Sequence, residues 1–148
     1  MRLCDSETLR LIPALLAPRK LPAPQLGRRG ERRAAWFYRL RGYSIVDRNV
    51  RLPAGEIDLV VRRGGIVVIA EVKTRQSLLA GEGHEAVHRV KRERLIRLGD
   101  QYASRHPGVR LRYDILSLFW TGRRFIVTHY ADAFRPMADP QRPWLWRA

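Results

Sequence analysis

Glu56–Arg62 and Ile66–Lys73 are short, mostly apolar runs rich in Val and Ile with a few charges inside them, which predicts two β-strands. Between them stands "RRGG", whose Gly64 and Gly65 permit the positive φ angles of a tight hairpin. Upstream the period changes. Glu31, Ala34, Ala35 and Tyr38 fall at i, i+3, i+4 and i+7, so Gly27–Arg41 reads as a helix with one face apolar except for Glu31. Gly42 ends that helix, and Tyr43–Arg51 reads as the first strand. A second helix is expected from about His84 to Ser104, with Val87, Val90, Leu95, Leu98 and Tyr102 on its period and arginines over its other side. His106, Pro107 and Gly108 break it. Arg112–Phe119 and Arg123–Tyr130 then form a second hairpin, turning near Thr121 and Gly122. The order α-β-β-β-α-β-β predicts an α/β fold: a central mixed sheet of about five strands flanked by helices.

The ends of the chain read differently. Pro13, Pro18, Pro22 and Pro24 crowd residues 1–26, which are expected to be a loose tail. Residues 27–134 form the domain, and 135–148 a second proline-rich tail that Trp144 and Trp146 could dock. A length of 148 residues suits one domain.

Charge narrows the partners. Twenty-nine Lys and Arg residues against 14 Asp and Glu give a net charge of +15. That balance points to a polyanion, most simply nucleic acid. Only Lys20, Lys73 and Lys91 are lysines, so the excess is arginine, which pairs with phosphate through two N–H groups. An arginine-rich proteome would produce the same bias without a binding role. No apolar run approaches the ~20 residues of a membrane span. Leu9–Ala17 is short and interrupted by Pro13, so it reads as neither signal peptide nor anchor. Cys4 stands alone and cannot form an internal disulfide. These features favour the cytoplasm.

The charges inside the strands carry the chemistry. Glu56, Asp58 and Val60 alternate onto one face of their strand, and Val67, Ile69, Glu71 and Lys73 onto one face of the next. Pairing around Gly64–Gly65 allows Asp58 and Glu71 to share a face, with Lys73 ~6.6 Å beyond Glu71. A hard cation such as Mg²⁺ takes one or two carboxylates and keeps several waters. Bound there, it would acidify a water and neutralise phosphate charge, and a lysine could orient that water. A cross-strand ion pair on a solvated face is the ordinary explanation of E-x-K. Three features weigh against it: the apolar neighbours Val67 and Ile69, the parity of Asp58, and Glu31 on an apolar helix face, where an unpaired charge is costly.

The run "GRRGERRAAWFYRLRGYSIVDRNVRLPAGEIDLVVRRGGIVVIAEVKTR", with "EAVHRVKRER", "RYDIL" and "ADAF" after it, resembles the YraN family of small bacterial proteins. These are endonuclease-like and distantly similar to Holliday junction resolvases and the PD-(D/E)xK restriction-endonuclease-like fold. The resemblance spans about Gly27 to Phe134 and rests on G-E-I-D-L-V followed by E-V-K-T-R. It implies a metal-dependent endonuclease acting on DNA, with branched or structured DNA among the candidate substrates, Mg²⁺ or Mn²⁺ held by Asp58, Glu71 and Glu31, and Lys73 assisting catalysis. A binding module that retains the scaffold without turnover is the alternative. Arg48, Asn49, Arg75, Lys91 and Asp114 also match family positions. Arg48, Arg75, Lys91 and Arg94 are expected to contact nucleic acid. Resolvase-like relatives imply a homodimer by analogy. Ile57 stands where the wider superfamily often has proline, and Val50 where relatives often carry an aromatic residue.

One motif competes. "HEAVH", His84–His88, fits the zinc-protease pattern H-E-x-x-H, in which two histidines on one helix face bind zinc and the glutamate acts as base. It follows "AGEG", so it opens a helix instead of lying within one, and no clear third ligand follows.

Overall fold

A computed structural model describes residues 19–77 and 85–135, with side chains described throughout except in 85–89. It contains helix α1 (Ala23–Arg39), strands β1 (Ser44–Leu52), β2 (Gly55–Arg63) and β3 (Ile66–Arg75), helix α2 (Glu85–Arg105), and strands β4 (Arg110–Trp120) and β5 (Phe125–Tyr130). The five strands form one sheet in the order β1-β2-β3-β4-β5. Every neighbouring pair is antiparallel except β3 and β4, which run parallel across the α2 crossover. The element order and the mixed sheet are those of a restriction-endonuclease-like fold.

The two helices cover opposite faces. Ala34, Ala35, Phe37 and Tyr38 of α1 pack with Leu59, Val61, Val68, Ala70, Leu116 and Leu118. Leu95, Leu98 and Tyr102 of α2 pack with Ile57, Val60, Val67, Ile69 and Tyr113. Each helix thus buries its apolar stripe against one side of the pleat, which gives three layers. Gly64 and Gly122 adopt positive φ at the two hairpin turns, and Gly42 does so just after α1.

Two expectations need correction. Helix α1 begins at Ala23, not Gly27. Pro22 serves as its N-cap and Pro24 lies in the first turn, where no backbone N–H is required, so these prolines start the helix instead of preventing it. Leu21, just before it, and Leu26, in its first turns, are buried. Val90 lies on the period of α2 but is 62% exposed; from Val90 onward, the buried stripe of this helix begins at Leu95.

Candidate active site

The site begins where two strands part. The β2–β3 ladder ends at the pair Leu59↔Ala70, although β2 reaches back to Gly55 and β3 continues to Arg75. Beyond that pair the Asp58 side chain replaces the missing backbone partner: the Val72 N–H donates to Asp58 Oδ2 at 2.7 Å. The carboxylate therefore lies in the gap between the strands. Strict alternation fails at this point. Ile57 packs with Val60 on the α2 side, while Leu59 and Val61 pack on the α1 side.

The neighbouring strand is irregular at the same level. Arg48 pairs with Leu59 and Val50 with Ile57, which sets Asn49 opposite Asp58. Asn49 has φ 52°, a left-handed conformation that asparagine tolerates better than most side chains. Its Nδ2 donates to Glu31 Oε2 at 3.3 Å. A family match alone had marked Asn49 as supporting; its contact with an acidic helix residue was hidden from the sequence. The available signal was a poor strand former in the middle of a strand.

Helix α1 brings Glu31 to this place by close approach. A Cβ on Gly30 would stand 2.0 Å from Thr74 Oγ1, so only glycine lets the helix touch β3 here. Gln76 fastens the same junction, accepting from Leu21 N–H at 2.8 Å and donating to Leu21 O at 2.7 Å. Glu31, next to Gly30, is thereby held at the end of β3 that carries Glu71.

Burial pushes the Asp58 carboxyl up to about 6. The Val72 N–H opposes that rise, while the negative charges of Glu71, Glu31 and Glu56 add to it. Four acidic residues thus share one field. Glu56 also lies 3.5 Å from Arg51 Nε. Lys73 is exposed on β3 two residues beyond Glu71, and Arg75 is half-buried at the end of that strand. Arg48 and Lys91 are exposed. The Arg94 guanidinium of α2 approaches Gly55, the residue before Glu56, with its Cζ 4.0 Å from where a Cβ on that glycine would be. Among the described residues, no three His, Cys, Asp or Glu side chains are grouped closely enough to hold one ion. Zinc binding by "HEAVH" falls outside the description: His84 is not described, nor are the side chains of the other four residues.

Asp114, the other family-matched aspartate, lies elsewhere and does different work. It is fully buried in β4. Its oxygens accept hydrogen bonds from the Tyr38 hydroxyl, the Arg112 guanidinium and the Asp132 backbone N–H, and lie 2.8 Å from His129 Nε2.

Residues 30–118 match the sequence profile of the family described as "Uncharacterised protein family UPF0102". The chain belongs to UPF0102, the YraN family. A UPF0102 protein of Parvibaculum lavamentivorans is 39% identical over 139 residues, spanning 84% of this chain and 98% of the relative. One from Syntrophotalea carbinolica is 37% identical over 111 residues, 74% of this chain and 90% of the relative. One from an Arthrobacter species is 51% identical over 81 residues, 55% of this chain and 69% of the relative. The matched span of the UPF0102 profile contains Glu31, Asn49, Glu56, Asp58, Glu71, Lys73 and Asp114. Among the described residues, no helix is long and apolar enough to cross a membrane.

Proposed function

We propose that this UPF0102 protein is a divalent-metal-dependent endonuclease that hydrolyses phosphodiester bonds in DNA. The observation that carries the reading is Asp58: a half-buried carboxylate fixed by a backbone N–H in a strand gap and surrounded by Glu71, Glu31 and Glu56. Acidic groups arranged to repel one another favour a cation among them. Mg²⁺ or Mn²⁺ needs only one or two protein carboxylates, a number that Asp58 and Glu71 supply.

Asp58 and Glu71 would hold the metal, with Glu31 completing the acidic set. Bound there, the ion would supply an acidified water and offset phosphate charge. Glu31 is oriented by Asn49, and Asp58 by Val72. Lys73, exposed two residues beyond Glu71, would contact the attacked phosphate or its water. Arg48, Arg75, Lys91 and Arg94 would bind phosphates on either side and fix the register of the substrate. None of these contacts selects a base sequence, which suits an enzyme that responds to the shape of its DNA.

Labelled single-stranded, duplex, flap and four-way DNA substrates, incubated with Mg²⁺ or Mn²⁺, test the proposal. Cleavage by the wild type should fall at least ~100-fold in Asp58→Ala and in Glu71→Ala, with DNA binding retained. Cleavage that survives both changes would refute it. Binding without cleavage on every substrate and with both metals would favour the turnover-free binding module.

A further inference from the structure

The end of the sheet opposite the acidic site carries a different chemistry. Arg41 follows α1, Arg63 ends β2, and Arg110 and Arg112 open β4. Arg63 pairs with Ile66, and Ile66 with Arg110, so the two arginines flank one residue in a single row across the sheet. Ile66 packs on the α1 side. Cross-strand partners share a face, so Arg63 and Arg110 project to that side, with Arg112 two residues along.

The Arg41 and Arg63 guanidiniums are held by carbonyls and rings, and Arg110 is exposed. Arg41 donates to Phe37 O at 3.2 Å, and its Cζ lies 3.6 Å from the centre of the Phe37 ring. Arg63 donates to Arg41 O at 2.9 Å and lies over Tyr43, with Arg112 also near that ring. Carbonyls and aromatic faces orient a guanidinium without neutralising it. Each has five N–H donors, and a single carbonyl bond engages few of them. Residues 39–44, 61–67 and 110–112, which build this rim, contain no Asp or Glu. Arg112 is the exception in role, because its charge is committed to Asp114.

We propose that Arg41, Arg63 and Arg110 form a second contact with the phosphate backbone of duplex DNA, separate from the contacts around the acidic site. The inference rests on the nucleic-acid partner proposed above and extends it to a new surface. The run from Asp58 to Arg63 covers ~17 Å at ~3.3 Å per residue, about half of a ~34 Å helical turn. A duplex that spans the two ends of the sheet therefore meets acidic groups at one end and the arginines of the rim about half a turn away. The rim adds to the binding supplied by the arginines and lysine around the acidic end, where metal and phosphate would meet.

Binding of the full-length protein to a labelled duplex of roughly 20 base pairs, in EDTA and across a KCl series, tests this surface apart from catalysis. The triple variant R41Q/R63Q/R110Q should bind on the order of tenfold or more weakly near physiological salt. Its plot of log affinity against log salt should be shallower by about 2 to 3, the slope of about three lost phosphate contacts. The triple lysine variant, which keeps the charge, should retain most of the affinity and the slope. The single variant Arg110→Glu provides the same reading at an exposed position if the triple variant fails to fold. Unchanged affinity and slope in folded glutamine variants would overturn the rim while leaving the nuclease reading intact. Weakening with no change in slope would overturn it too, since the loss would then be structural. A wild type that binds no duplex overturns the rim, and metal-dependent cleavage assayed alongside reports separately on the acidic site.

Discussion

Asp58 and Asp114 are both aspartates drawn out of water, on strands of the same sheet, and their surroundings treat them in opposite ways. Burial alone would raise both. At Asp114, hydrogen bonds from Arg112, His129 and the Asp132 backbone outweigh burial and hold the carboxyl below its usual range. At Asp58, one backbone N–H is the main opposing influence, and three nearby carboxylates reinforce the rise to about 6. A buried carboxylate whose charge is answered within the protein is part of the architecture. One whose charge is left unanswered, at the edge of a strand gap, awaits something from outside.

Removing the charge of each should separate the two roles. Asp114→Asn leaves the Arg112 guanidinium without its counter-charge inside the fold, and should cost about 3 kcal/mol, read by urea unfolding at neutral pH. Asp58→Asn should do the reverse. The Asp58 carboxyl titrates near 6 when folded, against 3.8 ordinarily, so the folded state holds the proton more tightly. Its contribution to stability is complete below the ordinary value and is lost as pH rises through about 6. A displacement from 3.8 to about 6, at ~1.4 kcal/mol per pH unit, sets a ceiling of roughly 3 kcal/mol. The metal-free asparagine variant should therefore be more stable than wild type at pH 7, and the gain should vanish near pH 4. A variant as sensitive at pH 7 as Asp114→Asn would erase the contrast.

The same titration sharpens the metal reading. Calorimetric affinity for Mn²⁺ should weaken as pH falls below about 6, because the ion must then displace the Asp58 proton. Affinity that stays flat from pH 7 to pH 5 would remove Asp58 from the ligand set. The smallest expected effect is at Asn49. Asn49→Gly keeps the left-handed backbone and loses the amide, whereas Asn49→Ala adds strain of roughly 1 kcal/mol. If the Glu31 contact matters, both should lower cleavage, and only alanine should lower the melting temperature appreciably.

Much of the architecture was legible from periodicity. The elements, their order and the turns at Gly64–Gly65 and Thr121–Gly122 follow from local patterns, because each is fixed by neighbours in sequence. The site was legible only as a set of residue types. Alternation was expected to place Asp58 and Glu71 on a common face, and it holds for Val60, Val67 and Ile69. It slips at Asp58, where the strands part and a side chain takes the place of a backbone partner. Nothing local announces that slip, since it depends on where β3 leaves β2. The Asp114 cluster was equally out of reach: Tyr38, Arg112, His129 and Asp132 come from distant parts of the chain and meet only in the folded state. The start of α1 was missed for a simpler reason. Proline breaks a helix interior, but Pro22 and Pro24 stand at the start of the helix, where proline is accepted.

The contact between Gly30 and Thr74 makes the spacing of a helix and a strand a matter of one hydrogen atom. Any side chain at Gly30 forces Thr74 to turn aside or α1 to move off β3, and Glu31 is the next residue along. Leu21 and Leu26 anchor the helix before this point and Ala34, Ala35 and Tyr38 after it, so the displacement would fall on the turn that carries the carboxylate. The glycine acts as the zero of a ruler, and an error there is read out at the acidic centre before it is felt in the core.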